Sequence, residues 1–403
     1  MAAGTLSPAA RAATPVVLPI LLSVSLGHLL NDMMQSVLLS VYPLLKTSLA
    51  LDFLHIGIIT LVFQLTASIL QPFVGLWTDR HPMPYSLPFG MASTFTGVLL
   101  LSRADGFYTV LVAAALIGVG SSVFHPEASR VARLASGGRF GFAQSLFQVG
   151  GNFGQAIGPL LVALIVIPRS QAHVAWFAMA AVLGMAVLGV VGRWYGQHLQ
   201  ARKAAGRLAT VPLSALSRPT VIMALAILIA LTFSKNFYMS SFSSYYTFYL
   251  IDRFGLSVQA AQVHLFVFLG AVAAGTILGG PIGDAVGRKF VLWFSILGVL
   301  PFTLALPFAN LFWTDVLAVI VGVIMASAFP AIVVYAQELL PGKVGMVAGL
   351  FFGFAFGMGG IAAALLGWIA DLTSIGFVYR LCAFLPLLGI FVAFLPDLDR
   401  ARR

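Results

Sequence analysis

"GPIGDAVGRK", Gly280 to Lys289, closes a long apolar run with one acid and two bases. Its reading decides the fold, because the chain holds a partial copy. "GLWTDR", Gly75 to Arg80, closes an earlier apolar run 205 residues upstream. A second pair, "GVGSSVFHP" ending at Pro126 and "GVIMASAFP" ending at Pro330, is offset by 204. Two separate pairs at nearly one offset define an internal repeat of half the chain, with both copies running the same way.

Outward from these motifs the sequence is apolar almost everywhere. It has 403 residues, 60% of them hydrophobic and 8% charged, with a mean hydropathy of +1.01. Soluble domains carry about 25% charged residues, so the composition is that of an integral membrane protein. The apolar runs are continuous and about 20 residues long, which suits spanning helices rather than alternating barrel strands. Twelve spans are read, near 16–41, 53–77, 86–102, 107–131, 140–167, 172–193, 220–250, 258–283, 290–309, 312–337, 344–369 and 375–395. The longest polar connection divides them, giving an N-terminal six-helix half (1–193), a central loop (194–219) and a C-terminal six-helix half (220–403).

The formal net charge of +10 reflects topology, not nucleic-acid binding. Sixteen of the 22 Lys and Arg fall at one end of the spans, among them Arg80, Arg133, Arg139, Lys203, Arg207 and Arg403. The positive-inside rule then puts both termini and the central loop in the cytoplasm. The single cysteine, Cys382, excludes an intramolecular disulfide. The first span runs past Asp32 to Tyr42, too long for a cleavable signal, and reads as an uncleaved helix. Glycines at four-residue spacing (Gly150, Gly154, Gly158; Gly275, Gly279, Gly283; Gly345, Gly349, Gly353, Gly357) predict close helix contacts.

Charge inside a spanning helix is costly, so each such group is a candidate for function. Span 1 places His28, Asn31, Asp32 and Gln35 along one face turned into the bundle, with His28, Asn31 and Gln35 as candidate substrate contacts. Asp32, near mid-span, is the leading proton carrier, with a structural carboxylate as the alternative. Span 7 offers Lys235 and Asn236, with Tyr238 and Tyr245 assigned to the Lys face; a mid-membrane Lys beside hydroxyls suits a small oxyanion. The alternative for Lys235 is a salt bridge to Asp32. Span 4 carries His125 as a proton relay, Pro126 as a kink, and Glu127 and Arg130 as a pair, with Arg130 able to meet an anion. Gln148 and Asn152 of span 5 read as cavity lining. Asp79 with Arg80, and Asp284 with Arg288, flanked by Gly75, Gly280 and Gly287, read as gates controlling conformation.

The signature Gly280-x-x-x-Asp284-x-x-Gly287-Arg288-Lys289 resembles that of major facilitator superfamily transporters. "GNFGQAIGP", Gly151 to Pro159, is similar to their antiporter element in span 5, while span 4 has Ala where many drug antiporters place Arg. The runs "SLGHLLNDMMQSVLLSVYPLLK", "FQLTASILQPFVGLWTDRHPMPYSLP", "GVGSSVFHPEASRVARLASGGRFGFAQSLFQVGGNFG" and "FSKNFYMSSFSSYYTFYLIDRFGLS" resemble the fosmidomycin resistance protein family within that superfamily. The resemblance implies a major facilitator fold and a bacterial inner-membrane antiporter. It also implies export of fosmidomycin-like phosphonate in exchange for protons, acting as a monomer without a cofactor. Another organic anion or drug, or passive facilitation, are the alternatives.

No P-loop, Ser/His/Asp constellation or metal-ligand cluster stands at recognisable spacing, so an enzyme is not expected. "HPE", His125 to Glu127, lacks a partner histidine on its own face, and no metal site is expected there.

Overall fold

The computed structural model describes residues 15–51, 53–204 and 216–398, and within them the chain is helical with no strand. Each of the twelve stretches read from the sequence is occupied by helix. They are labelled α1 (Leu18–Ser40), α2 (Phe53–Ser68 continued by Leu70–Arg80), α3 (Ser86–Ser102), α4 (Phe107–Ala135), α5 (Phe140–Leu161) and α6 (Phe177–Ala204). The second half holds α7 (Arg218–Phe254), α8 (Val258–Val286), α9 (Arg288–Ile296), α10 (Leu311–Ala326 with Ala328–Leu339), α11 (Val344–Leu372) and α12 (Ile375–Cys382). Among the described residues nine helical stretches are long and apolar enough to cross a membrane, and Ser86–Ser102 is apolar but shorter. α1 is not among the nine, since His28, Asn31, Asp32 and Gln35 interrupt its apolar sequence. Large apolar side chains such as Phe89, Phe266 and Phe312 are exposed on the outer faces, as a lipid-facing surface requires.

One boundary differs from the sequence reading. α6 continues to Ala204, past the Arg193 limit assigned to the first half, so the stretch from Trp194 is helix and not loop. Its polar residues ride on a helix that has already left the apolar zone, where side-chain polarity no longer marks the helix end. Residues 205–215, including the basic Arg207, and the terminal Arg11, Arg400, Arg402 and Arg403 lie outside the described residues. The end of the bundle at which α6 stops and α7 starts is called the linker end below.

The three glycine ridges do different jobs. Gly150, Gly154 and Gly158 of α5 lie against Ser25, Leu29 and Ser36 of α1, within the first half. Gly275 and Gly279 of α8 lie against Val323 and Ser327 of α10, within the second. Gly345, Gly349 and Gly353 of α11 press on Gly75, Gln71 and Ser68 of α2, and so join the halves. At Gly349 an added Cβ would meet the Gln71 carbonyl, so backbone contact there requires glycine. Gly287 has φ 97°, a left-handed conformation that lets the chain turn directly from α8 into α9.

The repeated prolines also diverge. α4 continues through Pro126, whereas in the second half the helix is interrupted at Ser327, three residues before Pro330.

Candidate functional site

α1, α4 and α5 converge on Asp32, which is buried in the first half. Three carboxamides donate to its carboxylate: Asn31 (3.0 Å) and Gln35 (2.9 Å) to Oδ1, and Gln155 (2.9 Å) to Oδ2. Two imidazoles face the same group, His28 Nε2 at 3.4 Å from Oδ2 and His125 Nε2 at 3.5 Å from Oδ1. Each ring is fixed from behind. His28 Nδ1 lies 2.7 Å from the Phe147 carbonyl and His125 Nδ1 3.0 Å from the Ser121 carbonyl. A carbonyl only accepts, so Nδ1 carries the hydrogen in both rings. Aromatic rings close the cluster: Phe147 stacks on His28 at 4.1 Å, while Phe352 and Phe356 of α11 stand 5.0 and 5.2 Å from His125. The polar face expected on α1 is therefore real, but Asn31 and Gln35 serve Asp32 directly.

A second network joins the halves at the linker end. Arg130 of α4 pairs with Glu127 and with Asp79 (2.7 Å), and donates to Thr78 Oγ1 (2.9 Å) and the Gly75 carbonyl (3.2 Å). Asp79 in turn accepts from the backbone N–H groups of Gly345 and Met346, both at 2.9 Å. It thus caps α11, whose own N-cap Lys343 supplies no side-chain bond. The repeat produces the mirror arrangement: Asp284 of the second half accepts from Gly141 and Phe142 at 2.9 Å and caps α5 of the first. Arg288 binds Asp284 (3.2 Å) and Glu338 (3.3 Å). Gly75 and Gly280 allow these backbones to meet, as a Cβ on either would strike the opposing glycine.

Three sequence expectations are corrected by this geometry. Arg80 is exposed, and Arg130 takes its place beside Asp79, because adjacent residues of a helix do not face the same side. Arg130 itself is committed to that network instead of facing an anion in this conformation. Tyr238 is not on the Lys235 face: it is buried in the second-half core, 5.5 Å from the Phe242 ring. A three-residue step leaves it about 60° around the helix from Lys235, enough to turn it inward.

The remaining candidates are spread between the halves. Lys235 does not pair with Asp32; its Nζ lies 4.9 Å from the Phe329 ring of α10, with no ion pair among the described residues. Asn236 donates to the Thr232 carbonyl of its own helix (2.9 Å), and Tyr245 packs against Gly367 of α11. Gln148 donates to Asn152 (3.3 Å), which donates to Thr276 of α8 (3.2 Å), so this pair bridges the halves.

Sequence reasoning missed a polar cluster in the second half, where His264 Nδ1 stands 2.7 Å and the Tyr246 hydroxyl 3.3 Å from Asp315 Oδ1. It also missed Gln337, which donates to Ser129 (3.1 Å) and accepts from Arg133 (3.2 Å) across the halves. The signal was present, since acid, base and amide all stand within apolar spans.

A membrane bundle of two repeated halves, joined at one end by reciprocal carboxylate caps, defines a secondary transporter class, and the comparisons agree. The sequence profile of the Major Facilitator Superfamily matches residues 24–364 and 254–403, and the chain belongs to that superfamily. Within it the chain is 62% identical over 378 residues to the fosmidomycin resistance protein of Escherichia coli (strain K12), covering 94% of this chain and 93% of that one. It is 41% identical to the uncharacterized MFS-type transporter YfnC of Bacillus subtilis (strain 168), covering 96% and 95%. Among solved structures, the transporter FucP in its outward conformation is similar with a TM-score of 0.73 at 17% identity, covering 94% of this chain and 99% of FucP. The human organic anion transporter MFSD10 gives a TM-score of 0.74 at 16% identity, covering 94% and 100%. These two likenesses concern the fold alone. The protein is a multi-pass membrane transporter and not an enzyme.

Proposed function

We propose that this transporter exports a small phosphonate of the fosmidomycin type from the bacterial cytoplasm in exchange for protons, by alternating access and as a monomer. The observation that carries the substrate class is Lys235. A cation within a spanning helix costs about 2.5–3.5 kcal/mol, and here it stands over an aromatic ring without a carboxylate partner. An arriving oxyanion offsets that cost. The 62% identity to a fosmidomycin resistance protein supports the same reading. Asn236, Tyr245, Gln148 and Asn152 are the neutral groups assigned to the pathway, and His28, Asn31 and Gln35 hold Asp32 within it.

Asp32 and His125 carry the coupled proton in this reading, with Glu127 passing it towards the linker end. The linker end is cytoplasmic on the positive-inside argument, so the conformation closed there faces outward. Transport then draws on the proton gradient and needs no cofactor.

Purified protein in liposomes with an internal pH-sensitive dye tests both parts. Fosmidomycin should move protons in the wild type, and Lys235→Ala and Asp32→Asn should each abolish that movement. Fosmidomycin-driven proton movement that persists in Asp32→Asn at the wild-type rate would refute the coupling, and its persistence in Lys235→Ala would refute the anion site.

A further inference from the structure

The His28–Asp32–His125 cluster has a geometry that proton exchange does not account for. Each Nδ1 faces a backbone carbonyl, which leaves Nε2 of each ring as the atom turned towards the carboxylate. Both Nε2 atoms are buried and lack a hydrogen-bond partner. Their separations from Asp32, 3.4 and 3.5 Å, decide what belongs between them. A charge-assisted N–H···O bond to a carboxylate is about 2.7–2.9 Å long, far shorter than either. Ligands about 2.0–2.2 Å from one tetrahedral ion stand about 3.3–3.5 Å apart, the range of these two separations, which run one to each carboxylate oxygen.

We propose that His28 Nε2, His125 Nε2 and the Asp32 carboxylate form a site for a divalent transition-metal ion of the Zn2+ class. The three ligand atoms lie within 4.8 Å of one another. Two imidazoles and one carboxylate suit borderline ions such as Zn2+ and Co2+, whereas Ca2+ and Mg2+ take oxygen ligands. The surroundings fit as well. Metal-bound histidines characteristically donate the other ring N–H to a backbone carbonyl, as both do here, and Asp32 is held by three carboxamides. Three protein ligands leave one coordination position open. No partner histidine stands on the face of α4 that carries His125; α1 supplies it, at His28, with Asp32 one turn further on. An ion held here competes with the proposed coupled proton for the same Nε2 and carboxylate atoms, and the site stands on this geometry and not on the direction or substrate of transport.

The test uses the purified full chain with the metal alone. Co2+ should give the visible absorption bands of a low-symmetry, near-tetrahedral ion, saturating at one per chain and displaced by Zn2+. X-ray absorption of the Zn2+-loaded wild type should show imidazole scattering from two histidines at about 2.0–2.1 Å. His28→Gln and His125→Gln should each weaken binding by about 100-fold or more, exceeding the usual loss for an outer-shell partner. Arg80→Gln, at an exposed position on the end of α2, should bind as the wild type does. Either of two results would overturn the proposal: Co2+ binding no tighter in the wild type than in the doubly substituted protein, or an absorption spectrum with oxygen ligands only. The spectrum is taken on the unsubstituted chain, so misfolding of a variant does not blunt it.

Discussion

Replacing Asp79 with Asn should open the linker end, and the structure gives the scale. Asp79 makes two kinds of contact there: a 2.7 Å ion pair with buried Arg130, and two 2.9 Å bonds from the first N–H groups of α11. Asn preserves the shape but removes the charge and one of the two acceptors. A hydrogen bond to a charged group is worth about 1.5–3 kcal/mol, and a lost helix cap about 1 kcal/mol. Arg130 keeps Glu127, so it is not left as an unpaired buried cation. The net cost to the closed arrangement is about 3 kcal/mol, an equilibrium shift towards the open form of about 100-fold.

Spin labels at Arg139 of the first half and Lys343 of the second, both exposed at this end, would read the shift on a Cys382→Ala background. Double electron–electron resonance should show the longer-distance population growing in Asp79→Asn. Arg80→Gln is the control and should leave the distribution unchanged, because Arg80 is exposed and plays no part in the network. An Asp79→Asn protein that is folded, yet has the wild-type distance distribution, would refute the assignment of Asp79 as the closing cap.

The symmetric substitution Asp284→Asn should act the same way through α5, and the double variant should shift the distances further than either single one. Gly349→Val should block closure outright, since its side chain would enter the Gln71 backbone; an unaltered transport rate would show that α2 and α11 need not meet. Tyr238→Phe should leave transport within about twofold, as Tyr238 is packed in the second-half core, and a loss of fosmidomycin flux would return it to the pathway. Asn152→Ala should weaken the contact to Thr276 by roughly 1 kcal/mol, measurable as a modest gain in the open population by the same distance assay.

The repeat, the spans and the gate carboxylates were legible in the sequence because each leaves a local mark: an apolar run, a fixed offset, an acid at a span end. Partners drawn from other helices leave no such mark. Asp79 was paired with its neighbour Arg80, while its real partner Arg130 lies 51 residues on in α4. His125 was read without His28, which stands on α1 and faces the same carboxylate. Tyr238 failed for a finer reason: a helix packed on several sides has more than one inward face, and a three-residue step can cross from one to another.

The asymmetry of the two halves now has a structural meaning. Both retain the carboxylate cap, so closure at the linker end is a property of the repeat. Only α4 adds His125, Glu127 and Arg130, six residues from first to last, linking the buried cluster to the closing network along one helix. α11 touches both ends of that segment, with Phe352 and Phe356 against His125 and its N-terminus on Asp79. In the proposed exchange, a charge entering the cluster meets α4 and α11, and α11 is the helix that Asp79 of α2 caps where the halves close. The counterpart "GVIMASAFP" keeps the proline and has no histidine, and the second half instead brings Asp315 of α10 together with His264 of α8 and Tyr246 of α7. In the proposed exchange, coupling therefore belongs to the first half, and the second contributes Lys235.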